Sequence, residues 1–273
     1  MLTFPDIDPI AFQLGPVAIR WYGISYLVGI AIAWGLMRLR ARKKDSGWSA
    51  QEVSDLVFYT TLGLVLGGRI GYVLFYNFPV YMENPLAIFK IWEGGMSFHG
   101  GLLGALFAAW LFGRRYGKPF FTVTDFLAPS IPPALFSGRI GNFINGELWG
   151  RPTHLPWGMV FPDPAAGGVP RHPSQLYEAF LEGIVLFVIL WVFSSKPRPQ
   201  KATSGFFLIG YGCLRFLVEF VRMPDAHLGF VALNWMTMGQ ILSIPMIVIG
   251  MGLMLYAYRH ERGSWRKAGS EQI

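Results

Sequence analysis

Seven stretches of this chain stay apolar for long enough to cross a membrane. They run approximately over Val17–Leu36, Leu56–Tyr76, Phe98–Gly113, Val123–Ile144, Leu176–Phe193, Gly205–Val221 and Met236–Tyr258. About 20 apolar residues span a hydrocarbon core as a helix. In lipid the backbone must satisfy its own polar groups, and runs this evenly apolar do so as helices rather than barrel strands. The pattern predicts an all-α polytopic membrane protein of seven transmembrane helices, forming a single integral membrane domain over residues 1–273. The third stretch is short and rich in glycine. A tilted or broken helix is expected there, or one extended by a re-entrant piece from NPLAIFKIW.

Basic residues between the stretches set the orientation. Arg38, Arg40, Arg42, Lys43 and Lys44 follow the first stretch, and Arg114, Arg115 and Lys118 follow the third. Lys196, Arg198 and Lys201 follow the fifth, and Arg259, Arg262, Arg266 and Lys267 follow the seventh. The alternate side holds only Arg20, Lys90, Arg151, Arg171 and Arg222. Basic loops face the cytoplasm, so the N-terminus is expected outside, in the periplasm, and the C-terminus in the cytoplasm. This also assigns the net charge of +7. It is a topology signal facing anionic lipid, not a nucleic-acid patch. The opening MLTFPDIDPIAFQLG has acids and prolines but no basic leader, so a cleaved signal peptide is not expected. With one cysteine, Cys213, neither a disulfide nor a cysteine metal site can form. Cys213 is expected to pack as a small apolar residue.

On this topology the costly polar groups gather in the outer half of the membrane. Tyr22 lies near the outer end of the first stretch and Arg69 about 10 Å below that of the second. His99 starts the third. Arg139 and Asn142 end the fourth, followed at once by Asn145 and Glu147. Gln175 and Glu178 open the fifth. Tyr211, Arg215 and Glu219 share one face of the sixth at i, i+4 and i+8, with Arg222 at its exit. An arginine at a helix centre costs about 2.5–3.5 kcal/mol of insertion free energy, so each needs a partner or a wet cavity. Counting Arg69, Arg139, Arg215 and Arg222 against Glu147, Glu178 and Glu219 suggests a cationic, partly desolvated pocket. Such a pocket suits a phospholipid phosphate, which arginine binds with two parallel hydrogen bonds. Self-neutralisation within an ion-pair ladder is the plainer reading of Glu219 and Arg222. A polar helix end that satisfies its own backbone is the plainer reading of Asn142 and Asn145.

Several segments carry a resemblance. GRIGNFINGELWG, SFHGGLLG, RHPSQLYE and GYGCLRFLVEFVRMPD look like the bacterial phosphatidylglycerol–prolipoprotein diacylglyceryl transferase family, over essentially the whole chain. The resemblance implies an inner-membrane enzyme with its active site toward the outer leaflet and no cofactor or metal. Its implied partners are phosphatidylglycerol, the signal peptide of a prolipoprotein with its lipobox cysteine, and membrane lipid. The diacylglyceryl group moves to the cysteine thiol, giving a thioether and glycerol phosphate, the first step of bacterial lipoprotein maturation.

Matching motifs residue by residue implies a catalytic set of His99, Arg139, Arg215 and Tyr22. It implies substrate-binding roles for Arg139, Asn142, Asn145, Glu147, Gly150, Tyr211, Glu219 and Arg222. Two assignments of the thiol proton stay open: His99 as base, or an arginine field that lowers the thiol pKa while His99 holds structure.

Other classes lack their signatures. A transporter predicts internal symmetry. The repeated GRIG at Gly68–Gly71 and Gly138–Gly141 has unlike flanks, YVLFY against NFINGE, and reads as a shared packing need. Arg69 is therefore expected to be structural, partnering Glu147 or Glu178. No aspartate cluster suits a metal-dependent lipid transferase, and no Ser–His or paired-aspartate motif suits an intramembrane protease. The segment Arg151–Pro173, rich in proline and glycine, is expected to be a mobile outer element.

Overall fold

In the computed structural model, residues 2–15, 17–44, 46–90, 92, 94–224 and 229–270 are described. The chain is mostly helical. Among the described residues, four helices are long and apolar enough to cross a membrane: Trp21–Ala41, Ala50–Phe75, Ser174–Phe193 and Met238–His260. Ala202–Val218 is apolar but shorter. Large apolar side chains such as Leu27, Phe58, Val188 and Val248 stay exposed on these helices, as lipid contact allows. The other two predicted stretches fall on α4 (Phe98–Tyr116) and on α5 (Phe120–Leu127) with α6 (Ile131–Ile144). A 3₁₀ turn at Ala128–Ser130 interrupts the latter pair beside three prolines, Pro129, Pro132 and Pro133, which cannot complete an α-helical ladder.

One boundary differs from expectation. Val17–Arg20 is not the first turn of a helix but strand β3, paired antiparallel with β2 (Ile10–Leu14). The helix α1 starts at Trp21 and ends at Ala41. A short apolar run suits either state, and pairing with the preceding segment decided it.

The chain forms two compact units, Met1–Ala33 with Asp125–Ile273, and Trp34–Thr124. In the smaller unit α2 (Ala50–Phe75) packs on α4 through glycines one helical turn apart. A Cβ on Gly63 would stand 2.4 Å from the Gly104 carbonyl oxygen, and one on Gly67 2.3 Å from that of Gly100. Only glycine permits that approach, and without hydrophobic drive in lipid such close packing is what joins the helices. A Ser49–Glu52 capping box starts α2. A short helix α3 (Phe78–Glu83) precedes NPLAIFKIW, the segment expected to re-enter, in which Pro85–Phe89 forms a 3₁₀ turn.

The larger unit holds α6, then α7 (Ser174–Glu178), which runs through a π-helical segment (Ala179–Val185) into α8 (Leu186–Phe193). It also holds α9 (Ala202–Val218) and α10 (Met238–Ser270). Asp125 caps α9 from a distant part of the chain, accepting from Lys201 N at 2.6 Å and from Ser204 N at 2.7 Å. The Arg151–Pro173 segment is tied down rather than loose. Its strand β4 (Met159–Val160) pairs parallel with β1 (Leu2–Thr3), and Met159, Phe161 and Ala166 form a small core against Phe4, Phe143 and Trp149. Cys213 is exposed, on the α9 face that carries Leu217 and Phe220, rather than packed inside.

Candidate functional site

The larger unit gathers charge where four pieces of helix meet: the C-terminal ends of α6 and α9, the junction of α7 with the π segment, and the N-terminal end of α10. Glu178 is fully buried. Its Oε2 lies 2.7 Å from Arg139 Nε and 3.0 Å from Arg215 Nη1, so one oxygen bridges two arginines. Its Oε1 lies 3.6 Å from Arg222 Nε. Glu182, also fully buried, stands 3.5 Å from Arg215 Nη1 and 3.7 Å from Arg139 Nη2. Arg215 closes on Glu219 across one turn of α9, and Arg222 Nη1 donates to the same Glu219 oxygen at 3.2 Å.

Local structure explains these positions. Glu178 precedes and Glu182 lies within the π segment, and residues four apart share one helix face. Gly183 in the same segment lets α6 approach, since a Cβ there would meet Phe136 Cβ at 2.6 Å. On α10, Thr237 and Gln240 form a capping box. Gln240 N donates to Thr237 Oγ1 and Thr237 N to Gln240 Oε1. The Thr237 hydroxyl is left to donate to Glu219 Oε2 at 2.6 Å. Arg151 caps the end of α9, donating to the carbonyls of Arg222 and Glu219 at 3.0 and 3.3 Å.

Beside this cluster lies a more open polar patch. Asn142 Nδ2 donates to Glu147 Oε1 at 2.8 Å, and Asn145 Nδ2 approaches the same oxygen at 3.5 Å. Asn142 thus links the carboxylate to Arg139, whose Nη1 donates to Asn142 Oδ1 at 3.5 Å, while Asn145 turns to Glu147. The Tyr22 hydroxyl has Tyr26 at 3.1 Å and Asn142 as partners. Tyr211 lies within electrostatic range of Glu182, Arg215 and Arg139. Gly150 serves close packing: a Cβ there would meet Val221 O at 2.6 Å and His172 Cβ at 2.7 Å.

The expected cationic excess is not present in this cluster. Arg69 belongs to the smaller unit, where its partners are backbone carbonyls and neither Glu147 nor Glu178. Glu182, which sequence reasoning passed over, adds a carboxylate. Among the described residues, Arg139, Arg215 and Arg222 thus face Glu178, Glu182 and Glu219, three charges against three. Burial demands that balance, because an unpaired charge out of water costs several kcal/mol. The signal for Glu182 was its place one turn after Glu178 in an otherwise apolar run; Thr237 and Gln240 were legible as a capping box.

Arg139 differs from its two neighbours. Its side chain is 20% exposed, against 11% for Arg215 and 12% for Arg222. Its Nε is anchored at 2.7 Å, whereas both terminal nitrogens make only contacts of 3.5 Å or more. The two-nitrogen edge of the guanidinium is thus the underused part, and it is the edge that matches a phosphate.

In the smaller unit, His99 is exposed on the first turn of α4, its ring edge-on to Phe98 with centroids 5.6 Å apart. Ser97 caps that helix, accepting from Gly100 N at 3.2 Å.

Residues 9–256 match the family described as prolipoprotein diacylglyceryl transferase. A phosphatidylglycerol–prolipoprotein diacylglyceryl transferase of Solidesulfovibrio magneticus is 59% identical over 93% of this chain and 96% of its own. One from Coxiella burnetii is 58% identical over 96% and 99%, and one from Pseudomonas aeruginosa 56% identical over 96% and 97%.

Proposed function

We infer the activity from two things together: the chain belongs to the prolipoprotein diacylglyceryl transferase family, and its buried charge cluster holds the Nη edge of Arg139 only by contacts of 3.5 Å or more. The enzyme transfers the diacylglyceryl group of phosphatidylglycerol to a prolipoprotein cysteine. Sulfur forms a bond to a glyceryl carbon, the carbon–oxygen bond to phosphate breaks, glycerol phosphate leaves, and the thiol proton passes to a base.

The residues are assigned roles as follows. The headgroup phosphate docks on the Nη edge of Arg139, and Glu178 holds Nε so that this edge keeps its aim. Arg215 stabilises charge on the leaving phosphate. Asn142, Asn145 and Glu147 recognise the hydroxyl-bearing headgroup glycerol, with Tyr22 beside them. Tyr211, Glu219 and Arg222 hold Arg215, and Gly150 lets the outer segment close against the end of α9. His99 accepts the proton of a thiol whose ordinary pKa is about 8.5. In the membrane, the chain is one integral domain of seven spans in the bacterial inner membrane. Its N-terminus is periplasmic, its C-terminus cytoplasmic and its active site toward the outer leaflet. The acceptor is the lipobox cysteine at the end of a signal peptide, and nucleic acid has no part.

The observation that carries the reading is the anchored but open guanidinium of Arg139. The test is transfer of label from glycerol-labelled phosphatidylglycerol to a lipobox peptide in detergent. Wild-type protein labels the peptide and Arg139→Ala does not. A structure with bound phosphatidylglycerol whose phosphate sits by the cytoplasmic basic loops, away from Arg139 and Arg215, would sink the assignment.

A further inference from the structure

Arg69 is 5% exposed, yet no carboxylate partners it among the described residues. Its guanidinium is satisfied entirely by backbone. Nε donates to Ile88 O at 2.8 Å. Nη1 donates to Gly94 O at 2.6 Å and Gly95 O at 3.1 Å. Nη2 donates to Ala87 O at 2.7 Å and Lys90 O at 3.3 Å. A guanidinium has five N–H groups in a fixed plane, and here five carbonyls from one nine-position stretch converge on it. The Tyr81 ring adds a cation–π face at 5.2 Å.

That stretch leads directly into the helix bearing His99. Gly94 and Gly95 both adopt left-handed backbone, φ +88° and +79°. A Cβ on Gly95 would stand 2.5 Å from the Tyr72 ring and 2.9 Å from Arg69 Nη1. Ser97 N then donates to Gly68 O at 2.9 Å, and Ser97 caps the helix two residues before His99 begins its first turn. Arg69 and Gly68 thus hold both sides of the turn that sets where α4 starts. A charge this deep is expensive. A structural pin of this kind repays that cost only if the turn must be held in one conformation.

We propose that Arg69 is a positioning residue, which ties Ala87–Lys90 to Gly94 and Gly95 and thereby fixes the placement of His99 at the start of α4. The proposal rests on the reading of His99 as the proton acceptor. Lysine at position 69 keeps the charge but offers three donors on a point-like head and cannot span five planar acceptors.

The test combines hydrogen exchange with a double-mutant cycle on the full chain in lipid nanodiscs. Arg69→Lys raises amide exchange in residues 85–99 at least tenfold and leaves the α9–α10 pair unchanged. It lowers kcat at least tenfold while KM for phosphatidylglycerol stays within twofold. Added to His99→Ala, it lowers kcat by less than a further twofold, because Arg69 acts through His99. Gly95→Ala, which crowds the turn from its own side while leaving the Arg69 side chain chemically in place, gives the same pattern and serves if Arg69→Lys does not fold. Unchanged exchange and turnover in both variants would overturn the proposal, as would a loss that adds in full to that of His99→Ala. If His99→Ala alone keeps wild-type turnover, the proton-acceptor reading falls; the exchange measurement then decides whether Arg69 holds the turn.

Discussion

Glu182→Gln keeps the shape of the side chain and removes one of three buried negative charges. The carboxylate stands 3.5 Å from Arg215 and 3.7 Å from Arg139. At an effective dielectric of ~20, each contact has a Coulomb energy of roughly 4.5 kcal/mol. Relief of the repulsion with Glu178 and easier desolvation of a neutral amide offset much of that. Breaking one partner out of a buried ion cluster costs about 3–5 kcal/mol in general. Here two further carboxylates still serve the arginines, so the lower end applies. A loss of about 3 kcal/mol corresponds to a fall in melting temperature of roughly 6–12 °C for a protein of this size. The variant also leaves the cluster with an excess positive charge beside the open edge of Arg139. Phosphatidylglycerol should then bind more tightly, with KM lower by about tenfold, the equivalent of ~1.4 kcal/mol. Tryptophan fluorescence melting in detergent reads the first effect and transfer kinetics with labelled phosphatidylglycerol the second. A melting temperature and KM both equal to wild type would refute the three-against-three balance and with it the argument for the site.

Three further outcomes are expected. Gly67→Ala places a Cβ 2.3 Å from the Gly100 carbonyl oxygen. It should force α2 from α4 and destabilise by about 1–3 kcal/mol or more, read as a lower melting temperature; an unchanged melt would mean the helices are not packed on these glycines. Thr237→Val removes both the cap and the 2.6 Å bond to Glu219. Its cost should be about 1–2 kcal/mol, with turnover falling as Glu219 loosens, and thermal melting with transfer rates would show it. Burial holds the His172 imidazole below its ordinary pKa, so the unfolded chain binds the proton more readily than the folded one. Stability should therefore rise with pH between the depressed value and about 6.5, and be lost as pH falls through that window. Limited proteolysis of the Arg151–Pro173 segment should quicken below about pH 6 in wild type and lose that dependence in His172→Asn.

The helical membrane architecture was legible from residue order because lipid leaves the backbone so few options. The apolar stretches and the shared face of Tyr211, Arg215 and Glu219 follow from spacing alone, whereas the pairing of α2 and α4 glycines needed the packed helices. The family was legible too, through GRIGNFINGELWG and its companion segments. Three-dimensional packing decided which charges meet. Arg69 and Arg139 stand in the same four-residue word, yet one is wrapped by loop carbonyls and the other lies between Glu178 and Glu182. Asn142 meets both Glu147 and Arg139 while Asn145 meets Glu147, and Val17–Arg20 is a strand because Ile10–Leu14 lies beside it. Ion pairs between helices depend on how the helices are turned and how deeply they are buried. Neither quantity is local to the sequence, so the balance of three arginines against three glutamates emerged only when the helices were brought together.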